Sequence, residues 1–134
     1  MANWTDSYMG IPFKCDGRDR DGADCYGLIC LIYRERLGVV LPDYAGIFTD
    51  QSPVTLRKVA RVMAKGREKW QRVDTPREYD MVMLRTGAYT WHVGIVIDRR
   101  QMLHVMHGID SCIEEYTGLH WRNRIVDFRR WPGA

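Results

Sequence analysis

The chain has 134 residues, 46% of them hydrophobic and 28% charged, a balance that excludes a disordered segment and suits one compact domain that needs no metal or disulfide to fold. Its formal net charge of +3 is mild, and with no nucleic-acid recognition signature beside it, it excludes a reading as a nucleic-acid binder. No apolar run approaches the roughly 20 residues that span a bilayer, and the first ten residues lack the basic-then-apolar pattern of a signal peptide.

In chain order, residues 4–9 predict a short helix that ends at Gly10, with Pro12 barring its continuation. Residues 14–23 are polar and glycine-containing, and read as a loop. Residues 24–37 predict a helix closed by Gly38. From Leu28 to Tyr33 it is apolar on nearly every side and so buried all round, before Arg34, Glu35 and Arg36 emerge into solvent. A second helix is predicted over residues 55–70, with Leu56, Val59, Val62 and Met63 on one face and Arg57, Lys58 and Arg61 on the other. Five short strands follow, at 80–84, 91–97, 102–106, 112–115 and 124–128, separated by polar or glycine-containing turns. Helices followed by an antiparallel sheet make a single α+β domain over residues 1–134.

Four cysteines stand at positions 15, 25, 30 and 112, with no C-x-x-C pair. Their spacings with the histidines match no common zinc pattern, so no metal and no cofactor is expected. Cys30 reads as core, Cys112 as strand packing and Cys15 as a loop thiol. Cys25 differs, because it lies in the first turn of the buried helix. Unpaired N–H groups and the positive end of the helix dipole favour a thiolate there, which suits a nucleophile. The competing reading is one more buried apolar cysteine.

His92 opens the strand-like run His92-Val93-Gly94-Ile95-Val96-Ile97 and is the candidate base for the Cys25 proton. Hairpin geometry supplies a third member. If residues 98–100 form a three-residue loop, Ile97 pairs with Gln101, Gly94 faces His104, and His104 shares a face of the sheet with His92. A four-residue loop puts His107 there instead. The three-residue loop is the favoured arrangement, with His104 orienting His92 through its second ring nitrogen. The oxyanion donors would be the Cys25 N–H and a second group from the preceding loop. His120 reads as surface, Asp80 as a turn-fixing residue, and Arg122, Arg124, Arg129 and Arg130 as a solvated basic edge.

Asp24-Cys25-Tyr26-Gly27-Leu28, His92-Val93-Gly94-Ile95 and Leu103-His104 occur in the order in which they stand in the NlpC-type cell-wall endopeptidases, which the chain resembles along nearly its whole length. The resemblance implies a compact papain-like fold and a catalytic set of Cys25, His92 and His104. It also implies hydrolysis of a peptide bond in peptidoglycan stem peptides, typically the γ-D-glutamyl–diaminopimelate bond. Asp24 matches an acidic residue that helps bind a free substrate amine in some members. Tyr26 stands where wall-remodelling members usually carry Ser, and Phe13 where many carry Tyr, so Asp24, Tyr26 and Phe13 are the candidate substrate-binding residues. Gly10-Ile11-Pro12-Phe13, Gly17-Arg18-Asp19 and Leu41-Pro42-Asp43-Tyr44 resemble the variants found in bacteriophage and prophage tail-tip proteins. That branch implies tail-tip or hub proteins as partners. It further implies synthesis in the host cytoplasm, residence at the virion tail tip, and action at the cell wall. In that setting the tail supplies the local concentration that a wall-binding module otherwise would.

Overall fold

The computed structural model describes residues 3–134. A 3-10 helix, Asn3–Tyr8, takes the place of the first predicted helix, and the chain turns at Gly10 with φ +78°. The stretch expected as an open loop contains a small antiparallel hairpin, β1 (Arg18–Asp19) and β2 (Gly22–Ala23). Strands this short carry no alternation for a periodicity argument to find.

Helix α1, Cys25–Ile32, is buried along its whole length. It runs into a single π-type turn, Tyr33–Leu37, which Gly38 ends in the left-handed conformation at φ +65°. The predicted helix is therefore present, but its exposed end is wider than an α-helix. Helix α2, Pro53–Gly66, begins at Ser52, whose hydroxyl accepts the Thr55 N–H at 3.2 Å. Pro53 opens it, at the end of a helix where a missing N–H costs nothing.

The remaining strands are β3 (Gln71–Val73), β4 (Met81–Thr86), β5 (Tyr89–Val96), β6 (Gln101–Met106), β7 (Ile109–Glu115) and β8 (Ile125–Arg130). They form one antiparallel sheet in the order β3-β8-β4-β5-β6-β7. Each predicted strand is present; β3, a short edge strand with Gln71 and Arg72 exposed, lacks the apolar alternation that would announce it.

One face of the sheet carries Met81, Met83, Trp91, Val93, Ile95, Leu103 and Val105 into the main core, which they share with α1 and α2. The other face carries a thinner cluster, in which Val82, Leu84, Val96 and Met102 are roofed by Tyr116 and Trp121 from the chain between β7 and β8. Two of the arginines read as a solvated edge are engaged instead. Arg130 forms a two-pronged pair with the buried Asp80 (2.7 and 2.9 Å), and Arg129 meets Asp127 at 2.9 Å. Asp80 fixes its turn as expected, accepting the Arg77 N–H at 2.7 Å. Among the described residues no helix is long and apolar enough to cross a membrane.

Candidate active site

The thiol is placed by a charge-tied loop. Asp24 caps α1, with Oδ1 accepting the Gly27 N–H at 2.7 Å and Oδ2 the Asp16 N–H at 3.0 Å. The Arg18 guanidinium meets the same Oδ1 at 2.9 Å and also binds Asp43 through Oδ1 (2.9 Å) and its carbonyl (2.8 Å). Gly27 is compulsory: a Cβ there would lie 1.9 Å from the Gly17 carbonyl oxygen. These ties hold the first turn of α1, and Cys25 with it, hard against the β1–β2 hairpin.

The imidazoles are placed by register. Ile97 N–H bonds Gln101 O at 2.9 Å, and Ile95 pairs with Leu103 and Val96 with Met102. This is the three-residue loop, with Asp98 Oδ1 accepting the Arg100 and Gln101 N–H groups at 2.8 Å each. The register extends to Gly94 opposite His104, and His92 Nε2 stands 2.8 Å from His104 Nδ1. His107 falls elsewhere; it is exposed at the β6–β7 turn, edge-on to Phe13. Gly94 relieves crowding, chiefly for Met102: a Cβ would come within 2.9 Å of its sulfur and 3.4 Å of His104 Cβ.

The two halves meet where β5 and β6 part. Alternate residues of β5 aim their N–H and C=O groups at β6, so Trp91 and Val93 would continue the ladder beyond Ile95. β6 pairs with β5 only at Leu103 and Met102. The Cys25 sulfur fills the gap, 3.8 Å from Trp91 O and within reach of the Val93 N–H. The thiol thus sits on the backbone either side of His92. On the opposite face the His92 ring stacks on Trp121, with centroids 5.5 Å apart.

Cys25, His92 and His104 are all buried, with Cys25 2% exposed and the histidines 0% and 1%. Burial pushes the Cys25 thiol up to about 12, and the Asp24 carboxylate adds to the rise. The N–H groups of Val93 and Tyr26 and the Arg18 charge oppose it without overcoming it. Burial, and then His104, hold His92 well below 6.5. Desolvation thus outweighs the helix dipole and favours the neutral thiol over the thiolate expected from the helix terminus. Burial favours the neutral form of the His92 imidazole as well. His92 Nδ1 is buried and has no hydrogen-bond partner among the described residues.

A residue that sequence reasoning missed stands behind the pair: His104 Nε2 contacts the Glu114 carboxylate, from the neighbouring strand β7. The available signal was parity, since Glu114 lies two residues from Cys112, which pairs with His104, and so shares its face. Cys112 pairs with His104 in the sheet, and its sulfur, Glu114 and the His104 ring offer ligand atoms within 4.8 Å of one another, the one such trio among the described residues. The His104–Glu114 hydrogen bond already accounts for the closeness of two of the three.

Of the candidate substrate residues, Asp24 and Tyr26 line a narrow crevice of about 20 Å³ beside Cys25, with Arg18, Tyr44, Phe48 and Met63. Neither histidine lines it. Tyr26 donates its hydroxyl to Pro42 O at 2.6 Å. Both Asp24 oxygens are engaged, so a substrate amine would have to displace Arg18 or a backbone donor. Phe13 stands one ring further out, edge-on to Phe48, which in turn meets Trp91.

A family profile described as the NlpC/P60 family matches residues 10–130. The murein DD-endopeptidase MepS/murein LD-carboxypeptidase of Escherichia coli strain K12 is 24% identical over 129 residues, which are 96% of this chain and 58% of that protein. The chain thus spans little more than half the length of this curated relative. In fold it is similar to an NlpC/P60 family protein from Bacillus cereus (TM-score 0.70, 18% identity, 96% of this chain and 38% of that one). It is also similar to the NlpC/P60 domain of the peptidoglycan hydrolase SagA (TM-score 0.61, 16% identity, 93% of this chain and 91% of that one). These solved structures share its arrangement of helices on an antiparallel sheet.

Proposed function

The chain belongs to the NlpC/P60 family, and on that premise we propose that it is a cysteine peptidase that hydrolyses a peptide bond in peptidoglycan. The observation that carries this reading is the meeting of the Cys25 sulfur with the backbone either side of His92, whose Nε2 is held by His104 while Nδ1 has no partner. In the reaction the Cys25 proton passes to His92 Nδ1 as the sulfur attacks the scissile carbonyl carbon. The C–N bond then breaks, and His92 returns that proton to the leaving amine. Water, deprotonated by His92, releases the acyl group and restores the thiol. The Cys25 N–H, at the first helical position and so outside the intrahelical ladder, is an oxyanion donor.

In the finer reading the substrate is a stem peptide cut at the γ-D-glutamyl–diaminopimelate bond. The crevice beside Cys25 receives the residue next to that bond, with Asp24, Tyr26 and Phe13 shaping its approach. The protein acts from a phage or prophage tail tip with tail or hub proteins as partners, made in the host cytoplasm and delivered to the wall. The resemblance of residues 10–13, 17–19 and 41–44 to tail-associated variants supports this, and the DD-endopeptidase name of the curated relative supplies a second bond to test. Defined muropeptides incubated with the protein and analysed by mass spectrometry separate the two bonds. Cys25→Ala and His92→Ala should each abolish product; if both cleave like the wild type, the reading fails.

The closed, neutral site favours one other reading, a structural tail-tip subunit whose hydrolysis is vestigial. It requires that phage carrying Cys25→Ala assemble and infect normally while deletion of the protein blocks assembly.

A further inference from the structure

A Cys–His–His set has a weakness that the opening geometry does not cure. The middle imidazole must take up the thiol proton, and a neutral third residue offers no charge to stabilise the resulting imidazolium. It also leaves the tautomers undefined, because the His92 Nε2–His104 Nδ1 contact can carry its proton on either nitrogen. If His104 holds that proton, His92 Nε2 becomes the acceptor and its own proton moves to Nδ1. Nδ1, the nitrogen that the proposed reaction uses, is then no longer a base.

Glu114 removes that ambiguity. A carboxylate only accepts, so its contact with His104 Nε2 requires the His104 proton on that atom. His104 Nδ1 is then bare and accepts from His92 Nε2–H across 2.8 Å. His92 Nδ1 is left as a lone pair, and it is the one ring nitrogen of the pair that is buried without a partner. Burial of both rings under Trp121 keeps water from the contact between them. The neighbouring carboxylate serves as a contrast: Glu115 points to the other side of β7 and meets the exposed Arg100 at 3.1 Å.

We propose that Glu114 is a positioning residue that sets the proton on each ring of the His104–His92 relay and supplies the negative charge that the histidine set lacks. This rests on the cysteine-peptidase reading above for its consequence, though not for its geometry. As His92 takes the thiol proton it becomes an imidazolium that donates through Nε2 to His104, whose Nε2–H donates in turn to Glu114. No proton leaves the chain. The titratable groups packed around the two rings are Cys112 and Glu114 from β7 and His120 from the connection to β8; Cys25, from α1, meets the backbone beside His92, and Arg124 lies over the far ring, Trp121.

Two measurements on the intact chain test it. In ¹⁵N-histidine-labelled wild type near neutral pH, NMR should show His92 and His104 neutral, each with its proton on Nε2. Glu114→Ala should spread the His104 proton over both nitrogens. In muropeptide cleavage, Glu114→Gln should cost about 10- to 100-fold, at or below the lower end of the roughly 10²- to 10⁴-fold scale of a direct general acid–base group. The acid limb of its pH–rate profile should also move to lower pH, because the charge that favours the imidazolium is gone. Glu114→Asp should restore part of the rate, and Glu115→Gln should change neither rate nor limb. A wild-type His104 protonated on Nδ1, or a Glu114→Gln enzyme whose acid limb stays in place, overturns the proposal. If wild type releases no product while its ring protons lie as stated, the peptidase reading fails and the proton placement stands.

Discussion

The two halves of the site are built on different physics. The thiol half, from β1 through the first turn of α1, is held by charge and close backbone contact: Arg18 ties Asp24 to Asp43, and Gly27 touches the Gly17 carbonyl. The imidazole half, β5–β6–β7, is held by a hydrogen-bond ladder whose register follows from a three-residue loop and from apolar alternation. The first kind of construction is brittle, since one added atom or one lost charge displaces the nucleophile. The second is distributed over the β6–β7 ladder, the two β5–β6 pairs and the loop that joins those strands.

The largest expected effect tests that brittleness. Gly27→Ala should destabilise the protein by about 2–3 kcal/mol in urea unfolding, because backbone on both sides of the clash has nowhere to move. Gly94→Ala, in the imidazole half, should cost less, since the Cβ meets the end of the flexible Met102 side chain. Equal costs would remove the distinction between the halves.

A second experiment sharpens the register argument through activity. His104→Ala should lower muropeptide cleavage by roughly 100-fold, the scale of a positioned acid–base partner. His107→Ala, exposed at the turn, should stay within about two-fold of wild type, as expected for a surface substitution remote from the chemistry. Loss of activity in the second variant and not the first would mean that the functional register is the four-residue one.

The smallest effect is a matched pair of pH dependences. Cys25 is raised by burial from 9.0 to about 12, so its contribution to stability is complete below pH 9 and fades as the pH rises toward 12. Cys30, raised equally, adds to that alkaline limb. His92 is depressed, so its contribution is complete above pH 6.5 and fades as the pH falls below it, with His104 contributing in the same direction. Thermal unfolding should therefore show a plateau between the two limbs, each group giving a slope of at most about 1.4 kcal/mol per pH unit. Cys25→Ala should soften only the alkaline limb and His92→Gln only the acid one. A variant that alters the wrong limb would show that the two halves are not buried independently.

Much of this was legible before any coordinates. Apolar periodicity located both helices and five of the sheet's six strands, and hairpin arithmetic narrowed the partner of His92 to His104 or His107 with the first favoured. Most of the misses have a common cause. The β1–β2 hairpin and β3 are too short for alternation to register, and they form because Arg18 and β8 respectively hold them in place. Arg130 looked like part of a free basic edge because its partner, Asp80, becomes its neighbour only through folding, whereas the Asp127 partner of Arg129 stood two residues away on the same strand face.

The sequence by itself determined the order and type of the main elements, a thiol at a helix start and two imidazoles on one face of a sheet, because these follow from backbone periods of 3.6 and 2 residues. Only the tertiary structure chose His104 over His107, engaged both oxygens of Asp24, placed Glu114 behind the relay and favoured the neutral thiol. Those outcomes depend on which groups lose water together, as Cys25 and Trp91 do across 66 positions of chain. Desolvation depends on packing in three dimensions, and no local pattern encodes it.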